Sequence, residues 1–224
     1  MGAEVSKTMK HLLSIAIPML AAGCSPPTAT DDPACRAAFR FPGVLIENST
    51  HGNIESITIT LADTDPIMVN DQLLEHLQGL PELRRLRINN IYGREYPVTD
   101  RGMENLVRVT TIEQLRLQYA SVSDRGVQAL LNLSNLQLLD LTGTAITDQS
   151  VKLIAQHWPS LQQLSLNSTD ITVDCVPFLV SMQNLETLDL LQTRLTNSQA
   201  RSIKEQMPTC SIIHSSRSRI KTEP

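Results

Sequence analysis

Apolar residues recur along this chain in one string, LxxLxL. Its first position falls at Ile54, Leu83, Ile112, Leu136, Leu161, Leu185 and Cys210, at intervals of 29, 29, 24, 25, 24 and 25 residues. The first six strings run without gaps, as in Ile54-Ile57-Ile59, Leu83-Leu86-Ile88 and Leu136-Leu139-Leu141. The last two apolar positions stand two residues apart, so on a short strand they share one face and point inward. Three positions on comes a small residue: Ala120, Thr144, Thr169 or Thr193. A threonine there can hydrogen-bond buried backbone where the chain leaves the sheet. An apolar residue and a helix-capping residue follow: Val69-Asn70, Val98-Thr99, Val122-Ser123, Ile146-Thr147, Ile171-Thr172 and Leu195-Thr196. Asp or Asn usually comes next, at Asp71, Asp100, Asp124, Asp148 and Asn197, which suits the first turn of a helix. Inward residues then recur at helical spacing: Leu74-Leu77-Leu80, Met103-Leu106-Val109, Val127-Leu130-Leu133, Val151-Ile154, Val176-Leu179 and Ala200-Ile203.

Such a unit of strand, turn and helix cannot bury its apolar face alone, and stacking supplies the missing cover. The pattern therefore predicts an α/β solenoid: a right-handed β-α coil with a parallel sheet on its concave face and short helices on its convex face. Each buried Leu or Ile contributes about 1.5 to 3 kcal/mol, so several layers must stack before burial offsets chain entropy. The two 29-residue intervals imply five-residue insertions between strand and helix, at 62–68 and 91–97, side by side on one edge. Residues 33–53 predict an N-terminal cap: a short helix from Pro33 to Phe39, then a hairpin through Val44-Leu45-Ile46 and the turn-rich 47–53. The repeats occupy 54–214 as six turns and a closing strand, and 215–224 reads as a disordered basic tail.

The string LxxLxLxxTxITDxxVxxL resembles the leucine-rich repeats abundant in predicted envelope proteins of planctomycete-like bacteria. Its ITD block is also similar to the cysteine-containing repeats of F-box proteins, from which it departs by carrying Thr where those have Cys. The resemblance covers Ile54 to about His214 and implies an interaction surface rather than an enzyme.

Ahead of the repeats, Lys7, Lys10 and His11 precede an apolar run, Leu12 to Ala22. That run is too short to span a bilayer but suits a secretory signal, with translation starting at Met1 or Met9. It ends Leu20-Ala21-Ala22-Gly23-Cys24, which resembles the lipobox of bacterial lipoproteins. The resemblance implies cleavage after residue 23, lipidation of Cys24 and anchoring to a membrane of the cell envelope, facing the periplasm or the exterior. The Pro/Thr/Asp-rich residues 24–32 then read as a flexible tether.

Composition narrows the chemistry. Aromatic residues make up 3% of the chain, so the core must be aliphatic, and a net charge of −4 carries no signature of nucleic-acid binding. The four cysteines are spaced unlike a disulfide framework. No CxxC, His/Cys cluster, GxSxG, P-loop or GxGxxG occurs, so neither metal, cofactor nor catalytic residue is expected.

The concave face is legible as the residues that flank the inward pair. It carries Arg85, Arg87 and Arg116 in adjacent turns, with Asp140 and Asp189 further along. Charge follows the same gradient: 84–125 holds eight Arg against five acids, and 135–200 two basic residues against six acids. Tyr92, Tyr96 and Tyr119 lie near the inserted loop. With the three arginines they form the expected binding corner for an unidentified protein or anionic envelope partner. The competing expectation is a structural envelope protein without a discrete ligand.

Overall fold

The computed structural model describes residues 31–61, 69–90 and 96–214. Cys24, Tyr92, the tether up to residue 30, most of both insertions and the tail lie outside the described residues. Of Tyr96 only the backbone is described.

The repeat pattern becomes an eight-stranded sheet. Its order is β1 (Val44–Asn48), β2 (Ile54–Thr60), β3 (Arg85–Asn89), β5 (Gln114–Leu117), β7 (Leu138–Asp140), β8 (Gln163–Ser165), β9 (Thr187–Asp189) and β10 (Ser211–Ile213). From β2 to β10 every pairing is parallel, while β1 returns antiparallel to β2 as the expected hairpin. A second, two-stranded sheet joins β4 (Tyr96–Thr99) to β6 (Ala120–Ser121) in the turns that lead to the helices. Helices α1 (Pro33–Ala38), α2 (Asp71–Glu75), α3 (Asp100–Leu106), α4 (Asp124–Ala129), α5 (Asp148–His157), α6 (Val176–Ser181) and α7 (Asn197–Gln206) complete the turns. The described residues form a leucine-rich repeat solenoid.

The inward ladder is buried as the spacing requires. Ile57, Leu86, Leu115, Leu139, Leu164 and Leu188 stack in one file, each 0 or 1% exposed. Helix positions Leu74, Met103, Val127, Val151 and Ile203 close the other side. In α6 the pattern shifts by one residue. Cys175 and Leu179 are fully buried, and Val176 is only partly so, because a 3-10 turn at Val173–Cys175 opens that helix. Trp158, beside exposed His157, is buried among the layers, and its indole N–H donates to the Leu133 carbonyl at 2.9 Å.

All six predicted capping residues cap. Asn70, Thr99, Ser123, Thr147, Thr172 and Thr196 are extended, and each accepts a backbone N–H of the first turn on its side chain. The turn threonines also bond as expected, with Thr144 and Thr169 donating to the Leu141 and Leu166 carbonyls at 2.6 Å.

The acid after each cap does more than favour a helix dipole. Asp71 accepts both the backbone N–H and the hydroxyl of Thr99, one repeat later, at 2.7 Å each. Asp100 does the same to Ser123, Asp124 to Thr147 and Asp148 to Thr172. These four caps are thus held by the preceding repeat, and the ladder runs along the solenoid from Asp71 to Thr172. Room for the carboxylate is made three residues past the cap, where a Cβ on Gly102 or Gly126 would lie 2.4 or 2.5 Å from the preceding Asp Oδ1. At the next two equivalents the side chain joins in: Ser150 donates to Asp124, and the Cys175 thiol bonds Asp148. Burial, the Asp148 charge and that bond push the thiol up to about 12.

The ladder stops where Val173, 47% exposed, takes the aspartate position. There Thr196 turns to a capping box with Gln199 inside its own helix. Val173→Asp is expected to extend the ladder to Thr196 and raise stability by about 0.5–1.5 kcal/mol, the net value of a typical hydrogen bond. A higher denaturant midpoint at unchanged m-value is the readout.

At the N-terminal end α1 covers the first layer. Asp32 caps it, and the Asp31 carboxylate accepts the Ile54 N–H at 2.6 Å and pairs with Arg36 at 2.9 Å. One expectation is corrected here. Cys35, fully buried in α1, is disulfide-bonded, whereas Cys175 and Cys210 are free.

Candidate functional site

The face of the sheet away from the helices is the expected concave face, and register defines it row by row. Its central row is Leu45, Thr58, Arg87, Arg116, Asp140, Ser165, Asp189 and Ile213, one residue from each strand in sheet order. Parallel in-register pairing puts side chains of one row about 4.8 Å apart from strand to strand. Arg87 and Arg116 are therefore direct neighbours, as the repeat alignment required. Arg85 sits two residues back, beside Gln114.

The three arginines differ in what already neutralises them. Arg85 is held by Glu47 at 3.3 Å and by Glu55 at 3.2 Å. Arg87 donates to the neutral amide oxygen of Gln114. Among the described residues neither Arg87 nor Arg116 has an acid within salt-bridge distance, and the Nε atoms of both are buried without a hydrogen-bond partner. Burial, with Arg116 and Arg85 alongside, lowers the pKa of Arg87. The Glu47 charge acts on Arg87 from a distance, so of the triad only Arg85 is ion-paired among the described residues.

Further along the row a groove of about 290 Å³ opens over β5, β7, β8 and β9, from Arg116 to Asp189. Asp140 accepts from Gln118 Nε2 at 2.8 Å and from the Thr142 N–H at 3.0 Å. Asp189 accepts from the Ser165 hydroxyl at 3.2 Å on one oxygen, and its other oxygen is buried without a partner. Burial, and secondarily the Asp140 charge, raise the pKa of Asp189 against the lowering bond from Ser165. Neither carboxylate has a basic partner within salt-bridge distance among the described residues. The alternation of the strands already put both on this face; that they flank one serine required the register.

The tyrosines occupy a different place. Tyr119 lies past the end of β5 in the left-handed region, at φ 59°, and its N–H donates to the Thr142 carbonyl at 2.7 Å. Its ring packs on Gly143, where a Cβ would come within 2.3 Å of Tyr119 Cδ1. Gly143, Ser168 and Gln192 repeat the positive φ one, two and three turns on. The backbone of Tyr96 pairs with Ala120, next to Tyr119. Tyr119 therefore lies past the C-terminal end of β5 and the Tyr96 backbone in the second sheet beside it, while the arginines lie within the face of the main sheet; Tyr92 is outside the described residues.

No group of three or more His, Cys, Asp or Glu side chains among the described residues could hold a metal ion. No described helix is long and apolar enough to cross a membrane.

Comparison with known proteins agrees with this architecture. The family model for the leucine-rich repeat matches residues 132–155, which run from the end of the helical segment of one turn through β7 into α5. No curated protein sequence matches the chain. Among solved structures, an internalin from Listeria monocytogenes superposes with a TM-score of 0.50 at 18% identity, over 70% of this chain and 38% of the internalin. The actin-binding site 2 of leiomodin-1 gives a TM-score of 0.41 at 14% identity, over 51% of this chain and 78% of that one. This chain thus spans well under half the length of the internalin it resembles. Repeat period, parallel sheet, family model and structural likeness agree that the chain folds as a leucine-rich repeat solenoid.

Proposed function

We propose that this chain is a non-enzymatic protein-interaction module carried on a membrane of the cell envelope, and that it binds its partner on the open face of the sheet. One observation carries the reading: Arg87 and Arg116 are adjacent on the parallel sheet, without an ion pair among the described residues, and the Nε atoms of both lack a hydrogen-bond partner. Holding two like charges side by side costs stability, and a partner's negative charge offsets that cost. Repeat solenoids present such extended surfaces without having to reorganise on binding.

The envelope location rests on the lipobox-like run ending at Cys24. A lipidated Cys24 has its sulfur in a thioether and cannot also be the disulfide partner of Cys35. Anchoring therefore requires that Cys35 be bonded elsewhere or reduced, which the intact mass of the purified protein distinguishes.

One fractionation experiment tests both halves of the reading. Wild type, Cys24→Ala and the double variant Arg87→Glu/Arg116→Glu are expressed in the native cell, cross-linked and captured from membrane and soluble fractions. Wild type is expected in the membrane fraction with a retained protein. Cys24→Ala is expected in the soluble fraction, and the Arg variant on the membrane without that protein. Cys24→Ala remaining on the membrane removes the anchor. Identical retained proteins for wild type and the Arg variant remove the surface.

A further inference from the structure

The central row of the sheet carries charge of both signs in a fixed order. Arg87 and Arg116 stand on β3 and β5, and Asp140 and Asp189 on β7 and β9 with Ser165 between them. Within this row the opposite charges do not cancel. Arg116 and Asp140 are register neighbours, yet no ion pair joins them; Asp140 is bound instead by Gln118 and the Thr142 N–H. Buried polar atoms without partners occur at both ends, Nε of Arg87 and Arg116 at one and Oδ1 of Asp189 at the other. Leaving such atoms unpaired is costly, and a ligand that supplies their partners recovers that cost.

We propose that the open face binds an extended polypeptide segment laid across the strands, with an acidic side chain against Arg87 and Arg116 and a lysine or arginine side chain between Asp140 and Asp189. This deepens the reading of the chain as an interaction module and rests on it. Charge complementarity selects the ligand class. A phosphate-rich or polyanionic glycan ligand long enough to cover the row would satisfy the arginines but meet Asp140 and Asp189 with like charge. A neutral glycan would leave both ends uncompensated. A peptide can carry both signs at a set separation.

The separation follows from sheet geometry. From the midpoint of Arg87 and Arg116 to Ser165 is two and a half strand spacings, roughly 12 Å at about 4.8 Å each. An extended chain advances about 3.3 Å per residue and turns alternate side chains to one face. Residues i and i+4 are therefore about 13 Å apart on the same face, and an acid and a base at that spacing match the row. The groove over β5 to β9 gives the basic half of the segment a seat.

Fluorescently labelled, end-blocked nonapeptides of Ser and Thr provide the probe, read by anisotropy on the full chain at low and at high salt. One peptide carries Glu and Lys four residues apart, and the others carry Glu/Glu or Lys/Lys at the same spacing, Glu and Lys adjacent, or no charge. Wild type is expected to bind the spaced Glu/Lys peptide at least tenfold more tightly than any other, with the preference falling as salt rises. Arg87→Gln/Arg116→Gln is expected to shift the preference to Lys/Lys, and Asp140→Asn/Asp189→Asn to Glu/Glu.

Those shifts are gains of binding that a misfolded variant cannot show. Equal binding of Glu/Glu and spaced Glu/Lys by wild type would make the face a plain anion site and overturn the proposal. So would binding no better than that of the neutral peptide, or preferences unchanged in the variants. If the peptides fail while the Arg variant still loses its retained protein from membranes, this inference falls and the interaction reading stands. If that loss is not seen either, both fall.

Discussion

Trp158→Ala is expected to lower the unfolding free energy by about 3–5 kcal/mol, the usual cost of truncating a large buried aromatic. Trp158 is 1% exposed in a chain otherwise poor in aromatics. Its ring fills the layer between two repeats, and its indole N–H occupies the carbonyl of Leu133 in the preceding turn. Truncation therefore opens a cavity and removes the side-chain bond between the two turns, while the Leu133 carbonyl keeps the Leu136 N–H. Trp158→Phe keeps most of the volume and loses the bond, so its cost should be nearer the about 0.5–1.5 kcal/mol net value of one hydrogen bond. Urea unfolding followed by far-UV circular dichroism measures both. Neighbouring repeats stabilise one another in a solenoid, so a loss at this central turn should move the whole transition. Equal midpoints for wild type and Trp158→Ala would mean that the indole does not bridge the layers as described.

The second large effect is at Asp124. Its carboxylate accepts the N–H and hydroxyl of Thr147 and the N–H and hydroxyl of Ser150, both in the next repeat. Asp124→Ala removes these bonds together, the Ser150 N–H alone keeping a second acceptor in the Thr147 carbonyl, and should cost about 2–3 kcal/mol. Burial alone would raise the pKa of Asp124, but the bonds from Ser150 and Thr147 outweigh it and the native value is lowered. A lowered native pKa gives stability that is fully present above the unfolded value and is lost as pH falls through the native one. The gap between wild type and Asp124→Ala should therefore be constant near neutrality. It should begin to close below about pH 4, the ordinary aspartate value, and go on closing as the native carboxylate protonates. Unfolding midpoints at a series of pH values provide the check, and a gap that widens on acidification contradicts the assignment.

Much of this molecule was legible in one dimension. Period-2 spacing inside LxxLxL determined which residues point inward, and Thr99, Ser123, Thr147 and Thr172 marked the helix starts, because both are local properties of three to six residues. The hairpin at Val44 to Asn48 and the cap helix at Pro33 were equally local. Aligned repeats even placed Arg87 beside Arg116, since a solenoid turns sequence period into spatial adjacency.

What the sequence left open concerns how one turn meets the next. Asp71, Asp100, Asp124 and Asp148 looked like ordinary first-turn acids. Only stacking brought each within reach of the following cap, and only then did Gly102, Gly126 and Ser150 acquire a reason. Similarly, three arginines on one face appeared equivalent until Glu47 and Glu55 were found on Arg85, leaving Arg87 and Arg116 without an ion pair among the described residues. Side-chain pairing depends on close approach between residues far apart in the chain, such as Asp71 with Thr99 and Glu47 with Arg85, which periodicity does not specify. The sequence by itself determined the repeat, its inward face and its caps, because these follow from backbone periodicity. The tertiary structure alone decided which charges are already spent within the fold and which remain for a partner.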